Sequence, residues 1–428
     1  MGDDLTAYRA ALDALFARTT GVSKFGLERT EAFLAALGRP HLAVPVLHVA
    51  GTNGKGSTCA TMDAVLRAAG HRVGRYTSPH LVDFRERFLV DGRPIPPGWV
   101  VEFLGRWTPT VEALGVTFFE ATTAMAFQWF VEQQVDIAVI ETGLGGRLDS
   151  TNVVQPLVAT VTSIGIDHVE QLGPTRELIA AEKAGIFKPG ATAVIGEPDA
   201  DVAGLLAEHA RTRGASAIVD LWRTSPPRGI STGADGTSFE LELPEGRQAV
   251  HTPLSGLHQA SNCAVALLSV RAAGAPWWPG WSTACAALDG VTLPGRFQQV
   301  GNWIFDVAHN ADGASVLAST LGRVPGPPVT ALLCVLGDKD WRGIMAALAP
   351  RVERFVLTNA PTAPTSRAWN LSEALDHGRG QGWVVEAVPD FDEALRVAQS
   401  HGGRTVVTGS FHTVGDAMDR LHVSPLGN

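Results

Sequence analysis

Short apolar segments recur along the chain, and each is followed by a turn rich in glycine or polar residues. Segments of this length are typical of strands buried in a parallel sheet. The spacing of leucine and phenylalanine within residues 5–38, and the pattern at 58–69, predict helices instead. Strands that alternate with helices indicate an α/β fold. The predicted strands are residues 44–50, 136–140, 157–164, 303–307, 329–336, 354–357 and 405–407.

A turn-rich stretch at residues 288–296 separates two regions that both show this pattern. We place a domain boundary there, which divides the chain into residues 1–295 and 296–428. The first domain should hold the larger, mostly parallel sheet, and the second a smaller Rossmann-like α/β sheet. Apolar and acidic residues alternate over residues 239–243, which predicts an antiparallel edge hairpin.

Composition excludes several classes of protein. The 428 residues are 45% hydrophobic with a net charge of −9, so buried cores are expected and a general basic surface for nucleic acid is not. No apolar run approaches the roughly 20 residues of a membrane-spanning helix. The first residues lack the features of a secretion signal, and the 4 cysteines lack metal-ligand spacing. We expect a cytoplasmic monomer without membrane or nucleic-acid partners.

The strongest chemical signal is the sequence GTNGKGST at residues 51–58, between a predicted strand and a predicted helix. Backbone N–H groups of such a loop can surround a phosphate, and Lys55 can reach the outer phosphates of a nucleotide. A hydroxyl group of Ser57 or Thr58 can face Mg²⁺. The standard phosphate-loop pattern fails, because Val49 replaces its first glycine and another glycine follows the lysine. A glycine-rich turn without a ligand is the alternative.

Polar residues also stand at or after the ends of predicted strands: Glu141, His168 and Ser78. A carboxylate such as that of Glu141 is a natural ligand for Mg²⁺, which prefers oxygen. Taken singly, each residue has an ordinary explanation, namely a solvated acid, a helix cap or core histidine, and a turn residue. Because ligands bind at the carboxyl ends of parallel strands, their joint placement around the glycine-rich loop favours a shared site.

Four further polar residues are less informative when taken alone. The spacing around Lys183 favours a surface lysine on a helix. Arg296 lies in the presumed linker, where it could be a solvated charge or could reach across a cleft. Asp306 and His309 stand at another predicted strand end, where they could bind a ligand or cap a turn. From the residues alone, the sequence favours an enzyme that uses a nucleoside triphosphate and Mg²⁺ in a cleft between two α/β domains.

Together these motifs resemble the Mur ligase superfamily and, more closely, its bacterial bifunctional dihydrofolate synthase/folylpolyglutamate synthase family. The resemblance runs over nearly the whole chain, and the altered phosphate loop is usual in this family. It implies an N-terminal P-loop-type ATPase domain followed by the smaller C-terminal domain. The segments that carry it are HVAGTNGKGS at 48–57, TSPHL at 77–81, ETGLGGRLD at 141–149, DH at 167–168, EKAGI at 182–186, PGR at 294–296 and DVAHN at 306–310.

The resemblance implies an ATP-dependent ligase that forms carbon–nitrogen bonds. In such enzymes ATP phosphorylates the carboxylate of a pterin substrate, and the amine of L-glutamate then displaces phosphate from the acyl phosphate. Activation is required because a carboxylate anion is not electrophilic, and Lys, Arg and Mg²⁺ stabilise the charge on the phosphoryl oxygens. The implied substrates are dihydropteroate, folates and L-glutamate, and the implied cofactors are ATP and two Mg²⁺ ions.

The resemblance also assigns roles to individual residues. The implied catalytic residues are Lys55, Lys183, His168 and Arg296. The implied ATP-binding residues are Thr52, Asn53, Gly54, Lys55, Gly56, Ser57, Asn262, Arg296 and Asp306. The implied metal ligands are Ser57, Ser78, Glu141, His168 and Lys183, the last as a carbamate formed with CO₂. The implied pterin and glutamate contacts are Phe25, Phe119, Thr122, Thr123, Arg147, Leu148, Asp149, His309 and Ser410.

Other functions stay open at this stage. The chain could have folylpolyglutamate synthase activity alone, although residues 78–87 resemble the bifunctional type. It could also join another acid to another amino acid, but ligases of peptidoglycan precursors usually carry a domain for which there is no room before residue 51. A nucleotide-dependent switch would give Arg296 and Lys183 no role. An inactive scaffold is disfavoured because every expected polar position is filled.

Overall fold

The computed structural model describes residues 2–17 and 26–427, which form three sheets with helices packed around them. The helices are α1 (Gly2–Phe16), α2 (Glu28–Ala36), α3 (Lys55–Ala68), α4 (Pro97–Leu114), α5 (Phe118–Glu132), α6 (Val169–Leu172), α7 (Arg176–Lys183), α8 (Ala200–Thr212), α9 (Leu221–Thr224), α10 (Leu257–Ala273), α11 (Trp281–Ala287), α12 (Ala311–Arg323), α13 (Trp341–Leu348), α14 (Leu371–Gly380), α15 (Phe391–Ser400) and α16 (Phe411–Arg420).

The strands of the three sheets complete the framework. They are β1 (Val46–Ala50), β2 (Val73–Tyr76), β3 (Phe88–Val90), β4 (Arg93–Pro94), β5 (Ile137–Glu141), β6 (Val158–Val161), β7 (Thr192–Ile195), β8 (Ala217–Asp220), β9 (Arg228–Gly233), β10 (Gly236–Leu243), β11 (Gly246–Thr252), β12 (Gln298–Val300), β13 (Trp303–Phe305), β14 (Val329–Leu333), β15 (Arg354–Leu357), β16 (Val385–Ala387) and β17 (Arg404–Thr408). The predicted α/β fold is confirmed.

The first sheet has 8 strands in the order β4-β3-β2-β5-β1-β6-β7-β8. The pairs along β2-β5-β1-β6-β7-β8 are all parallel, and β3 and β4 extend the sheet beyond β2 in antiparallel pairing. Strand β1 lies between β5 and β6, with His48 opposite Ile140 and Ala159. It is buried along its whole length, as expected of a parallel strand covered by helices on both faces. The loop after β1 therefore emerges at the middle of the sheet.

The second sheet has 3 strands and corrects the predicted edge hairpin. Strand β10 pairs with β11 on one side and with β9 on the other, so it is the central strand of this sheet. Phe239 and Leu241 are buried against the cluster that includes α10, while Glu240 and Glu242 are exposed. Alternation along a strand shows that one face is solvated, but it does not distinguish a central strand from an edge strand.

The third sheet forms the core of a separate C-terminal domain. Its 6 strands have the order β12-β13-β17-β14-β15-β16, and all neighbours except β12 and β13 pair in parallel. The domain has its own hydrophobic cluster, built on residues from Phe297 to Met418. The division predicted at residue 296 falls just before β12, and it remains our proposal for the domain boundary.

Several predicted elements differ from the structure at their ends. The helical pattern over residues 5–38 corresponds to α1 and α2, and residues 18–25 between them lie outside the described part. Helix α3 begins at Lys55, three residues before the predicted start. Strand β6 ends at Val161, so residues 162–168 form a loop. Within the described residues, none of the helices has the length and apolar character needed to cross a membrane.

The two α/β domains are in close contact where glycines replace side chains. A Cβ atom at Gly415 of α16 would lie 2.1 Å from the carbonyl oxygen of Leu81, which belongs to the first domain. A Cβ atom at Gly165, in the loop after β6, would lie 2.6 Å from Oδ2 of Asp312 at the start of α12. These contacts bring the second domain over the carboxyl end of the first sheet.

Candidate functional site

A cleft of about 400 Å³ lies between the two domains at the carboxyl end of the first sheet. Its walls are the loop after β1, the turn after β5, the loop after β6 and the start of α12. The structure brings together there the residues predicted for nucleotide and metal, with His309, which was predicted for glutamate, beside them. The nucleotide and metal residues that line the cleft are Thr52, Asn53, Gly54, Lys55, Gly56, Ser57, Ser78, Glu141, His168, Lys183, Asn262, Arg296 and Asp306.

The loop at residues 51–54 requires glycine at two positions. A Cβ atom at Gly51 would lie 1.8 Å from Oγ1 of Thr162, and one at Gly54 would lie 2.2 Å from Oδ1 of Asn262. Gly54 also has a φ of 87°, a left-handed conformation that glycine adopts readily. Helix α3 starts directly after it without a side-chain cap, so its first N–H groups are available to an anion. The loop is shaped to hold a phosphate.

Two lysines point to the same carbonyl oxygen of this loop. The Nζ atom of Lys55 donates to the oxygens of Gly51 at 3.0 Å and Thr52 at 3.2 Å, and Nζ of Lys183 donates to that of Gly51 at 2.9 Å. Lys183 is 4% exposed, so the surface position that its spacing favoured is wrong. Burial, aided by the nearby charge of Lys55, lowers the pKa of Lys183 to about 7.

Glu141 is the last residue of β5 and is almost fully buried. Its Oε2 atom accepts a hydrogen bond from the N–H of Ser78 at 3.3 Å. Burial raises the pKa of Glu141, and the charge of Lys55 acts in the opposite direction. Within residues 2–17 and 26–427, no three His, Cys, Asp or Glu side chains form a metal site of their own. One carboxylate with the hydroxyls of Ser57 and Ser78 therefore fits Mg²⁺ that shares phosphate oxygens and water.

His168 lies at the end of the loop after β6, immediately before α6. Its φ of 53° is left-handed, and its side chain is 43% exposed towards the cleft. Burial of the ring lowers the pKa of His168 to about 4, although the carboxylate of Asp167 raises it. The imidazole is therefore neutral near pH 7, which is the form that binds metals.

Asp167 receives side chains from the second domain. Lys339 pairs with its Oδ1 atom, Nδ2 of Asn310 donates to Oδ2 at 3.3 Å, and Nε2 of His309 lies 3.4 Å from Oδ2. Burial raises the pKa of Asp167, but His309, His168 and Lys339 outweigh burial and leave it well below its usual range. The carboxylate is charged at all physiological pH values.

Arg296 and Asp306 enter the cleft from the second domain as two half-buried groups of opposite charge. The carboxylate of Asp306 accepts from the N–H groups of Phe297 at 2.9 Å and Ala308 at 3.0 Å. The guanidinium of Arg296 lies over the ring of Phe411, 5.2 Å from its centre. Burial lowers the pKa of Arg296 and raises that of Asp306, and each charge partly offsets the effect on the other. Arg296 is not a solvated linker charge.

Comparison with known proteins shows the family to which this chain belongs. Residues 49–270 match the Mur ligase middle domain, and residues 295–411 match the Mur ligase glutamate ligase domain. The chain is 35% identical to the dihydrofolate synthase/folylpolyglutamate synthase of Escherichia coli (strain K12), over 97% of this chain and 95% of that protein. The chain belongs to the dihydrofolate synthase/folylpolyglutamate synthase family of Mur ligases.

Solved structures of this family have the same fold. The folylpolyglutamate synthase of Mycobacterium tuberculosis complexed with ADP and AMPPCP superimposes with a TM-score of 0.89 at 34% identity, covering 99% of this chain and 100% of that chain. Escherichia coli FolC in complex with DHPP and ADP gives a TM-score of 0.83 at 33% identity, covering 96% of this chain and 97% of that one. The family predicted from the motifs is confirmed.

The residues that the family resemblance assigned to pterin are less accessible than those assigned to nucleotide. Thr122 and Thr123 are buried in α5, where their hydroxyls lie 3.0 and 3.5 Å from that of Tyr76. Phe119 is half-buried and packs against the turn at Gly143. None of these side chains lines the cleft between the described domains. Phe25 lies outside the described residues.

Most of the other residues assigned to substrate also lie outside the lining of the cleft. Arg147 is exposed and pairs with Glu182 at 2.8 Å, and Leu148 is half-buried beside it. Asp149 is buried and accepts hydrogen bonds from backbone N–H groups. Ser410 caps α16 by accepting from the N–H of Thr413. His309, by contrast, lines the cleft, and all of these family assignments stay predictions.

Some cleft residues were missed in the sequence. Arg176 and Glu197 both line the cleft, and their side chains pair at 2.7 Å. Glu197 also accepts from the N–H of Ile164 at 2.6 Å, which fixes the start of the loop that carries His168. Lys339, which pairs with Asp167 but does not line the cleft, was missed as well. Glu197 and Lys339 each follow a parallel strand, β7 and β14, so the rule that selected Glu141 could have selected them.

Proposed function

We propose that this chain is an ATP-dependent ligase that joins L-glutamate to dihydropteroate and to folates. The observation that carries the proposal is the cleft in which a phosphate loop from one domain meets Arg296 and Asp306 from the other. Relatives named dihydrofolate synthase/folylpolyglutamate synthase match nearly the full chain, and one solved relative is a complex with ADP and AMPPCP. A single chain that supplies both walls of the cleft also supports a monomer.

The reaction needs charge stabilisation more than covalent chemistry from the protein. The acid carboxylate attacks the γ-phosphorus of ATP, the bond to ADP breaks, and an acyl phosphate forms. The amine of glutamate then attacks the acyl carbon, phosphate leaves, and the amine loses a proton. Lys55 leaves the carbonyl oxygens of Gly51 and Thr52 to contact the phosphates, and Arg296 stabilises the charge that develops on the phosphoryl oxygens.

The described residues also fit a bound divalent cation. Ser57, Ser78, Glu141 and the neutral ring of His168 are the groups that would hold Mg²⁺, with further positions left for phosphate oxygens. Bound there, Mg²⁺ would neutralise part of the negative charge of the triphosphate. The Arg176–Glu197 pair would keep the loop that ends in His168 in place during the reaction.

Lys183 is the residue through which we propose a covalent modification, a carbamate formed with CO₂. Its amine is buried beside Gly51 and Lys55, and a neutral amine is the form that adds to CO₂. Lys183→Ala should lose activity and its stimulation by bicarbonate. Lys188, which is half-buried and donates to the carbonyl of Asn152, is the matched control. An unchanged rate for Lys183→Ala, insensitive to bicarbonate, would contradict the carbamate.

The ligase proposal is tested by measuring phosphate release with ATP, Mg²⁺ and L-glutamate. The three reactions contain no acid, dihydropteroate, or tetrahydrofolate. Release with both pterins is the expected result. Release with tetrahydrofolate alone would reduce the proposal to folylpolyglutamate synthase, the second candidate. Release with neither would overturn the pterin assignment and leave a Mur ligase for another acid. Lys55→Met serves as the inactive control, because it cannot neutralise the phosphates.

A cytoplasmic location also remains our proposal. The described cysteines are all unpaired, as expected in a reducing compartment. Light scattering on the purified protein checks the monomer, and fractionation of cells that express it checks the location.

A further inference from the structure

The two domains share a cluster of charged and polar groups around one carboxylate, which we name the Asp167 cluster: Asp167, His309, Asn310 and Lys339. Asp167 belongs to the first domain, and the other three belong to the second. The side chains of Asp167 and Lys339 are 8% and 11% exposed, so their ion pair is shielded from solvent. Among the described residues, Lys339 and His309 are the side chains of the second domain that lie within 4 Å of a carboxylate of the first, and both contact Asp167.

Asp167 is held firmly by its own domain. The loop that carries it is fixed at Gly165, whose N–H donates to the hydroxyl of Thr52 at 3.0 Å while that hydroxyl donates back to its carbonyl. The side chain of Arg176 donates to the carbonyl of Ile164 at 3.0 Å. The carboxylate therefore has a defined position relative to the phosphate loop.

Lys339 is held equally firmly by the second domain. It follows β14, and its N–H donates to the carbonyl of Leu336 at 3.0 Å. Its own carbonyl accepts from the N–H of Trp341, the first residue of α13 and part of the buried core. An ion pair between two groups that are each rigid on their own domain fixes the relative position of the domains.

The same cluster connects to the groups that act on phosphate. Asn310 caps α12, because its Oδ1 accepts from the N–H of Gly313 at 2.8 Å. Its Nδ2 reaches Oδ1 of Asn53 in the phosphate loop at 3.4 Å as well as Asp167. His309 lies next to it, and Arg296 lies on the same side of the cleft. A shift at Asp167 would therefore move Arg296 and His309 away from the phosphate loop.

We propose that Lys339 is a positioning residue whose ion pair with Asp167 holds the two domains in the arrangement that the ligation needs. Lys339 does not line the cleft, so it acts through Asp167 rather than on the substrates. The effect on rate rests on the ligase function proposed above. The effect on domain arrangement does not, so the two can fail separately.

The primary test replaces Lys339 by Met, which keeps the length of the side chain and removes its charge. Removing one partner of a shielded pair should lower kcat by about 30-fold. ADP binding should change less than kcat, because the phosphate loop belongs to the first domain and keeps its own contacts. Small-angle scattering should show a larger radius of gyration. Lys339→Arg should restore both rate and radius. Lys339→Gln is a second neutral variant, used if Lys339→Met does not fold.

Arg367→Met is the matched control, since Arg367 forms an exposed ion pair with Asp338 beside Lys339 but within one domain. It should behave like the unmodified protein.

In a double-mutant cycle, Asp167→Asn with Lys339→Met should be no slower than the slower single variant. Effects that multiply would overturn the proposal, because Lys339 would then act independently of Asp167. An unchanged rate and radius for Lys339→Met would overturn it too. If the unmodified protein has no ligase activity and Lys339→Met still has a larger radius of gyration, the proposed function is refuted. The role of the ion pair in domain arrangement would then still stand.

Discussion

Gly54 and Gly70 stand at opposite ends of helix α3 and have nearly the same backbone φ angle. Their φ angles are 87° and 89°, so alanine should be strained equally at both. The surroundings differ, because a Cβ atom at Gly54 would meet Asn262 whereas one at Gly70 would meet nothing within 4 Å. The pair separates the backbone strain of a left-handed residue from the specific shape of the phosphate loop.

We expect Gly54→Ala and Gly70→Ala each to lose about 1 kcal/mol of stability. Only Gly54→Ala should also weaken ADP binding, by about tenfold or more, because the loop or Asn262 must move. Calorimetric titration with ADP and urea unfolding measure the two effects. Equal ADP affinity in the two variants would contradict the role given to Gly54.

His48 predicts a pH dependence of stability. It is buried in β1, and its Nε2 lies 2.8 Å from the hydroxyl of Thr151, which itself donates to Asp149. Burial lowers the pKa of His48 from 6.5 to about 3. Above about pH 6.5 neither state binds the proton. Below it the unfolded chain binds a proton that the folded chain refuses, so stability falls as the pH falls from 6.5 towards 3.

At about pH 5 this effect amounts to about 2 kcal/mol. His48→Gln keeps a donor for Thr151 but cannot titrate, so the loss of stability between pH 7 and pH 5 should shrink by about that amount. Urea unfolding at both pH values measures it. The same loss in both proteins would show that His48 is protonated in the folded state.

The residue scale is also where sequence and structure agree least. The positions of the phosphate loop and Glu141 could be predicted because motif and strand-end position both depend on local order. The direction of a side chain is different. Nothing in the spacing shows that Lys183 points inward to Gly51, since a single buried lysine hardly changes a helical pattern.

At the scale of elements, the turn after β5 depends on one carboxylate. Oδ2 of Asp149 accepts from the N–H groups of Gly143 at 2.9 Å and Leu144 at 2.8 Å, and Oδ1 accepts from that of Thr151 at 3.0 Å. The turn in this way holds the end of β5, where Glu141 lies. The glycine-rich turn could be predicted from the sequence, but the carboxylate that accepts hydrogen bonds from its N–H groups could not.

Asp149→Asn should cost about 2 kcal/mol of stability, because an amide NH₂ would replace one acceptor among buried N–H donors. Asp136→Asn is the control, since Asp136 is exposed and accepts from the N–H of Arg72 at the other end of β5. Thermal unfolding and the KM for dihydropteroate are the measurements. A raised KM with unchanged stability would instead favour the direct pterin contact implied by the family.

The positions of the strands in the sequence were predicted more reliably than the order in which the strands pair. The buried segments at β1, β5, β14 and β15 are visible because both faces of a parallel strand are apolar. The central position of β10 was not visible, although β9 directly precedes it in the chain. Alternation shows that one face of the strand is solvated, but not on how many sides the strand is paired.

At the scale of the whole molecule, the contact of Gly415 with Leu81 limits how closely the domains approach. Gly415→Ala would force α16 away from the first domain, and a displacement of about 1 Å can cost about 100-fold in rate. Gly105→Ala, in the exposed middle of α4 with nothing within 4 Å, is the control and should gain about 0.5–1 kcal/mol from helix propensity. Ligase rates and thermal unfolding test both variants.

Contacts between domains are the part of the site that sequence could not supply. Asp167 and Lys339 are separated by 172 positions, and their pairing exists only because two independent sheets meet at one cleft. The motif that contains Asp167 indicated a ligand site, and the turn that contains Lys339 indicated nothing. The likeness to solved structures over nearly the whole chain indicates the fold, whereas contacts between the domains follow only from the three-dimensional structure.

The shared carbonyl of Gly51 has a consequence for laboratory practice. The ammonium group of Lys55 contacts it beside the uncapped N–H groups at the start of α3, so this end of the cleft favours small oxyanions. Sulfate and inorganic phosphate in the buffer should therefore compete with ATP, whereas chloride at equal ionic strength should not. An apparent KM for ATP will depend on the buffer salt, and assays in a zwitterionic buffer will give the lower value.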